Sequence, residues 1–159
     1  MQLIIFGLLN TEIMYPVIQM LHSLLAYVVL VLLTIASINA IIGTINKAEF
    51  SKRDFKFTLW ALIATHTQVV LGLILYFISP LGIRSFSSNG AQVMKDATLR
   101  LFAVEHISVM IFMAVLLTIG YVKQKRTEDS ASKFRRVSIF YTLALVLALS
   151  RIPWQQWIN

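Results

Sequence analysis

The sequence predicts an all-α integral membrane protein, a four-helix up-down bundle, from three observations. Hydrophobic residues make up 58% of the 159 residues and charged residues only 13%, whereas soluble domains are about half apolar and about one quarter charged. The apolar residues form runs near the length of roughly 20 residues that a bilayer requires. The basic residues, which produce a net charge of +7, lie in the gaps between those runs. Such a distribution sets orientation in a membrane, so we expect a lipid bilayer and no nucleic acid as partner.

Three apolar runs are long enough to cross a bilayer, and a fourth is short. The fourth predicted span, residues 137–152, has a continuous apolar run of 14 residues, but basic residues that can snorkel precede it and tryptophans that favour the interface follow it. Pro80 and Pro153 are expected to end the second and fourth helices. The other three spans are predicted at Val17 to Thr44, Phe57 to Ser79 and Leu101 to Val122.

The loops between the spans differ in basic residues, and this difference predicts orientation. Ten lysines and arginines follow the first and third spans, including those of the polar stretch Lys123 to Arg136, which is expected to be a solvated loop. The other side holds only four. Because short loops rich in Lys and Arg stay in the cytoplasm, we expect a multi-pass protein of the cytoplasmic (inner) membrane with both termini in the periplasm.

Residues 1–13 are interpreted as an N-terminal extension of a transmembrane domain that comprises residues 14–159. The apolar run Leu3 to Leu9 is too short to span a bilayer, and the segment lacks the basic start and small-residue cleavage site of a secretory signal. Two interpretations stay open. Either Met14 is the true start of the protein, or these residues form a short helix at the membrane interface.

All three histidines of the chain lie inside predicted spans. An ionisable side chain in a membrane helix costs about 3 kcal/mol on insertion scales and therefore marks a functional site. His22 and His106 each lie about six residues into a helix that begins on the outer side, so the rise of about 1.5 Å per residue places them at similar heights. Helices one and three are parallel diagonal partners in an up-down bundle. This arrangement predicts that the two imidazoles are the axial ligands of a haem b iron.

Other polar residues of the spans have less specific roles. His66 lies about one to two turns deeper and is expected to contact the haem edge, line a quinone pocket or relay a proton, while His66 with His106 remains an alternative ligand pair. Arg100 and Arg151 lie near the outer ends of helices three and four, where a guanidinium can bind a haem propionate or anchor the helix at the interface. Glu105 is expected to neutralise one of these arginines or to carry protons.

Several other kinds of chemistry have no support in the sequence. The chain contains no cysteine, which excludes thiolate catalysis, iron–sulfur clusters and c-type haem attachment. A zinc or copper site is disfavoured, because no two histidines are four residues apart and only Glu105 lies at the depth of the histidines. The sequence has no phosphate-binding loop or dinucleotide fingerprint.

Four segments carry a resemblance to a known family: MYPVIQMLHSLLAYVVL, THTQVVLGLILYFISP, VEHISVMIFMAVLLTIGY and RIPW. They resemble the small four-helix membrane proteins of Bacteroidota-type bacteria that are labelled cytochrome b-like. The resemblance runs from about Met14 to Trp154, is most specific at LHS, THTQ and VEH, and implies a haem protein of the cytoplasmic membrane. More distantly, the TQVVLG helix and the histidine-bearing helix after it are similar to half of a haem A synthase.

The sequence thus predicts a membrane-embedded b-type haem protein that takes part in electron transfer with a quinone or a redox protein. One alternative is a tetrapyrrole-modifying oxidase that resembles the four-helix protoporphyrinogen oxidases, although their lysine in a later span has no firm counterpart here. Whether the chain is an enzyme therefore stays open. A further alternative is a cofactor-free accessory subunit of a larger membrane complex, in which the histidines only bridge helices.

Overall fold

A computed structural model describes residues 14–156 in full and residues 2–13, 157 and 158 as helical backbone without side chains. The described part is all-helical and contains no strand. Its long helices are α1 (Gln2–Ile45), α2 (Lys52–Ile78), α6 (His106–Lys125) and α7 (Ser130–Arg151). The shorter helices are α3 (Arg84–Asn89), α4 (Gln92–Lys95), α5 (Ala97–Arg100) and α8 (Trp154–Ile158), and a π-helical turn, Leu101–Glu105, joins α5 to α6.

Three helical segments of the described chain are long and apolar enough to cross a membrane. They are Met14–Ile45, Lys52–Ile78 and Ala97–Lys125. Large apolar side chains cover their outer surfaces, as expected for helices whose surroundings are lipid tails rather than water. The all-α prediction is confirmed for the described residues, and three of the predicted spans lie in helices whose length and composition suit a membrane span.

The α7 helix differs from the other long helices, because it is not among the described segments that are long and apolar enough to cross a membrane. The predicted fourth span and the four-helix up-down bundle are therefore not confirmed. The α7 helix has 22 residues, which is longer than the predicted apolar run because it begins within the polar stretch that was expected to be a loop. Of that stretch, only residues 126–129 lie outside helices, so the loop prediction was wrong at both of its ends. Asp129 caps the new start by accepting a hydrogen bond from the Ser132 backbone N–H at 2.7 Å, and hydrogen bonds from Ser132 lower the pKa of the Asp129 carboxyl.

The start and end of α2 follow from local sequence. Ser51 and Asp54 form a capping box in which each side chain accepts from the other's backbone N–H. Asn39 of α1 donates to the same Asp54 carboxylate at 2.7 Å, which ties the two helices together beside the turn. The helix ends at Ile78 because Pro80 follows its C-cap Ser79 and cannot continue the hydrogen-bond ladder.

The long helices pack in a defined order. Helices α1 and α6 each pack against both α2 and α7, so α1 and α6 face each other diagonally. The centre between them is filled by Leu33, Leu117 and Tyr141, none of which has any exposed surface. The Tyr141 hydroxyl donates to the Thr58 carbonyl oxygen at 2.9 Å, which satisfies the one polar atom of that buried ring.

Glycines let α7 approach its neighbours closely. A Cβ on Gly120 of α6 would lie 2.5 Å from the Phe140 Cβ, and a Cβ on Gly43 of α1 would overlap the Phe134 ring. Small residues at helix crossings are typical of membrane proteins, because close backbone approach maximises van der Waals contact where no hydrophobic driving force exists between helices.

The predicted extension, residues 1–13, lies outside the part of the chain whose side chains are described. Its interpretation as an interfacial helix stays a prediction. The orientation of the chain in the membrane also stays a prediction.

Candidate functional site

A cavity of about 260 Å³ lies between α1, α2, α6 and the end of α7. We call it the histidine cavity because His22 and His106 both line it. Its walls are mainly apolar, and a few polar groups converge on it, which is the usual composition of a cofactor site. Gln68, Val69, Gly72 and Ile111 also line the cavity.

The two histidine rings face each other across the end of the cavity. Their centroids are 6.3 Å apart and their planes are inclined by 74°. A metal that bonds one nitrogen of each imidazole at about 2 Å holds the two ring centroids roughly 6 Å apart. The separation therefore matches that of two imidazoles on opposite sides of one metal ion.

His106 is held in one tautomer by α7. Its Nδ1 lies 2.7 Å from the backbone carbonyl oxygen of Arg151, and since a carbonyl can only accept, Nδ1 carries the hydrogen and donates it. In the neutral ring the lone pair is therefore on Nε2. A histidine whose Nδ1–H is anchored on a carbonyl is the common form of a metal-ligating histidine, because the anchor orients the ring and raises its basicity.

The π-helical turn immediately precedes His106. The His106 backbone N–H bonds back to the Leu101 carbonyl oxygen, five residues earlier, rather than four. One such wide turn changes which face of the helix the following side chains present, and π-turns of this kind often occur at functional sites. No feature of the sequence indicated this turn, since LFAVE has no proline or glycine.

His22 and Gln68 contribute buried polar atoms that have no partner within the described chain. These atoms are the His22 Nδ1 and the Gln68 Oε1. The Gln68 amide Nε2 donates to the His22 backbone oxygen at 2.8 Å, so α2 fixes this part of α1 from the side. A buried polar atom without a hydrogen bond costs about 1–3 kcal/mol. The two unpartnered atoms therefore point to a missing component at this end of the cavity.

Gly72 makes room for the His22 ring. A Cβ at this position would lie 3.0 Å from the His22 Cε1, closer than ordinary van der Waals contact. Gly72 and Gln68 are four residues apart on one face of α2, so the sequence TQVVLG places the amide and the gap together. The sequence analysis did not single out Gly72, although a glycine one turn from a polar residue inside a span was a usable signal.

The charged residues at the outer end form a cluster around Glu105. The Arg100 Nε lies 2.8 Å from one Glu105 carboxylate oxygen, and the Arg151 Nε lies 3.2 Å from the other. Neither arginine lines the histidine cavity. Glu105 thus pairs with both arginines and balances one of their two positive charges. Their predicted contact with haem propionates stays a prediction.

His66 lies apart from the other two histidines. It does not line the histidine cavity and is exposed on the surface between α2 and α6. Its Nδ1 lies 2.9 Å from the Leu62 carbonyl oxygen of its own helix, and the Thr118 hydroxyl is 3.2 Å from its Nε2. In the described residues, no group of three or more His, Asp or Glu could hold a metal ion.

Comparisons with protein-family models, with curated proteins and with solved structures found no match to this chain.

Proposed function

We propose that the chain is a membrane-embedded b-type haem protein that takes part in electron transfer with a quinone or a redox protein. The observation that carries the proposal is the 6.3 Å separation of the His22 and His106 rings. Two histidines suffice for such a site, because the porphyrin itself supplies the other four ligands of the iron. When bound, the haem supplies one-electron redox chemistry.

The residues around the two histidines fit this group in three ways. The anchored Nδ1–H of His106 leaves Nε2 free to coordinate a metal. The buried His22 Nδ1 has no hydrogen-bond partner among the described residues, which supports a role for this ring as a metal ligand. Gly72 keeps the space beside the His22 ring clear, and the apolar walls exclude water from the neutral imidazoles.

The arginines and Glu105 have positioning roles in this proposal. Glu105 ends the π-turn and forms an ion pair with the Arg151 side chain. The backbone oxygen of Arg151 accepts a hydrogen bond from the His106 ring. The same arginine therefore holds both the ligand and the residue before it. Arg100 and Arg151 also present further N–H groups near the outer end, where haem propionates would find donors.

The proposed architecture is a four-helix up-down bundle in the cytoplasmic membrane. The length of α7, 22 residues, supports a span of about 30 Å at 1.5 Å per residue, and α7 packs along both α1 and α6. The excess of basic residues in the loops on the opposite side from the cavity supports periplasmic termini.

A pyridine haemochrome assay on the purified protein tests the proposal. We expect the assay to give stoichiometric haem b in the wild type. The absorption spectrum of the native protein, recorded beside it, should show low-spin Soret and α bands in the wild type and should lose them in His22→Ala and in His106→Ala. His66→Ala is the matched control, since it removes a histidine from a span without changing the cavity. A folded, colourless protein from haem-replete cells would overturn the proposal.

A further inference from the structure

A second, shallower depression lies on the outer surface between α2 and α6. We call it the His66 groove. Its volume is about 240 Å³, and it is lined by His66, Thr118 and apolar side chains that include Val69, Ile111 and Val115. His66 and Thr118 are its only lining residues with polar side chains.

The outward exposure of His66 is unusual for an ionisable residue of a membrane span. Such residues almost always face the bundle interior or a water-filled cavity, because lipid tails cannot solvate them. His66 is exposed instead. It is 14 residues from the start of α2 and 12 from its end, which places it about 18–21 Å along the helix from either end. Polar lipid head groups do not reach that depth.

The hydrogen bonds of His66 and Thr118 lack one donor. The His66 Nδ1–H donates to the Leu62 carbonyl oxygen, so the neutral ring has an acceptor at Nε2. The single Thr118 hydroxyl hydrogen has two acceptors within reach, the Ala114 carbonyl oxygen at 2.7 Å and the His66 Nε2 at 3.2 Å. Because the Thr118 hydroxyl donates to the Ala114 carbonyl oxygen at the shorter distance, the His66 Nε2 is left without a hydrogen-bond donor among the described residues. A ligand hydroxyl that donates to Nε2 would complete the set.

The depth and the missing donor together select the ligand. At the middle of a bilayer, lipid tails offer no donor and free water is scarce. A membrane-soluble hydroquinone has a flat apolar ring, which suits the apolar walls, and a hydroxyl that can donate to His66. The groove is also adjacent to the histidine cavity, because Val69 and Ile111 line both.

We propose that the His66 groove binds the head group of a membrane hydroquinone (quinol), whose hydroxyl donates a hydrogen bond to the His66 Nε2. Val69 and Ile111 separate the ligand in this groove from the histidine cavity. Electron transfer between the ligand and a haem in that cavity rests on the proposed function. The binding itself does not depend on haem.

The test is equilibrium binding of a radiolabelled short-chain naphthohydroquinone to the full chain in lipid nanodiscs under anaerobic conditions. Its dimethyl ether, which has the same ring but no hydroxyl donor, is the matched probe. We expect the wild type to bind the hydroquinone about tenfold more tightly than the ether, as for one hydrogen bond in an apolar site. His66→Leu should abolish that preference, and His66→Gln should retain most of it because the amide oxygen still accepts.

Thr67→Val is the control for the protein. Thr67 is the neighbouring exposed residue, bonds only to its own helix at the Ile63 carbonyl oxygen, and does not line the groove. We expect its substitution to leave both affinities unchanged. Circular dichroism and thermal unfolding establish that each variant is folded.

Three outcomes would overturn the inference. The first is equal binding of the hydroquinone and the ether to the wild type. The second is that His66→Leu still binds the hydroquinone more tightly than the ether. The third is that His66→Leu leaves ligand binding unchanged and alters the oligomeric state, which would make the groove a contact between copies of the chain. Haem content is measured separately by the haemochrome assay. Hydroquinone binding that depends on His66 in a protein without haem would support this inference and overturn the proposed function. Haem in a protein without such binding would support the proposed function and overturn this inference.

Discussion

At His22 and His106 the planes of the two rings cross at 74°. The angle is set by separate anchors, since the Arg151 carbonyl holds one ring and packing beside Gly72 holds the other. If the proposed haem iron were held by His22 and His106, rings crossed at this angle would donate π density about equally to two of its d orbitals, whereas parallel rings would separate those orbitals in energy. The ring angle is therefore measurable in the bound state.

We expect the oxidised protein to give a highly anisotropic low-spin electron paramagnetic resonance signal with a single prominent feature at high g. The physical reason is the near-degeneracy of those two d orbitals between crossed rings. Low-temperature spectroscopy of the purified ferric protein is the measurement. His66→Ala should give the same signal as the wild type, and a rhombic signal with three well-separated g values would show that the rings are nearly parallel.

Gly72 gives a second prediction for a single residue. Gly72→Ala places a methyl group 3.0 Å from the His22 Cε1, so the ring must shift by a few tenths of an ångström, and Gly72→Val requires a larger shift. We expect haem retention on dilution to fall from wild type to Ala to Val. The haem-to-protein ratio after gel filtration measures this order.

The control for Gly72 is Val70→Ile, which adds a methyl group on the exposed face of the same helix. It should leave the haem-to-protein ratio unchanged. Equal retention in Gly72→Val and the wild type would mean that the His22 ring does not depend on this gap.

Among the helices, α6 and α7 approach each other closely beside a glycine of α6. The contact depends on Gly120, whose hypothetical Cβ lies 2.5 Å from the Phe140 Cβ. The same two helices carry His106 and the Arg151 carbonyl that holds its ring, so their packing affects the geometry of the histidine cavity. A change at the crossing should therefore affect stability first and the ligand geometry second.

We expect Gly120→Ala to lower the free energy of unfolding by about 1–3 kcal/mol, since overpacking forces the two helices apart. Phe140→Gly in the same chain should recover part of this loss, because it removes the Cβ that the added methyl group meets. Thermal unfolding in detergent of the wild type, both single variants and the double variant gives the coupling. Purely additive effects would show that the two residues do not oppose each other.

The whole molecule is predicted to place its basic loops in the cytoplasm. Because the chain contains no cysteine, a single introduced cysteine reports its own side of the membrane. Ser88 lies in α3 and Glu128 lies between α6 and α7, and both are exposed. The two positions therefore sample opposite ends of the long helices.

We expect a membrane-impermeant maleimide to label Ser88→Cys in intact cells and Glu128→Cys only after the inner membrane is opened. The reason is the retention of Lys- and Arg-rich short loops in the cytoplasm. The reverse pattern would invert the proposed orientation. Labelling of both positions in intact cells would show that α6 does not cross the bilayer, because the two positions lie on either side of α6 in the chain.

Composition and spacing alone determined much of this protein. Long apolar runs predicted the three helices that are long and apolar enough to cross a membrane, because a bilayer accepts few other structures. The similar positions of His22 and His106 within their runs predicted their meeting, since the rise per residue of a helix is fixed. The sequence placed α7 less well, because its first turns are polar and are stabilised by the Asp129 cap and by tertiary packing.

Tertiary structure alone decided the direction in which each polar side chain points. The rotation of a helix about its axis depends on its neighbours, so no spacing rule could predict that His66 faces outward to Thr118 rather than toward the cavity. The π-turn before His106 likewise had no signal in the sequence, whereas the pairing of Glu105 with an arginine was predicted. Depth along a helix is a property of the sequence, and the face that a residue presents is a property of the packing.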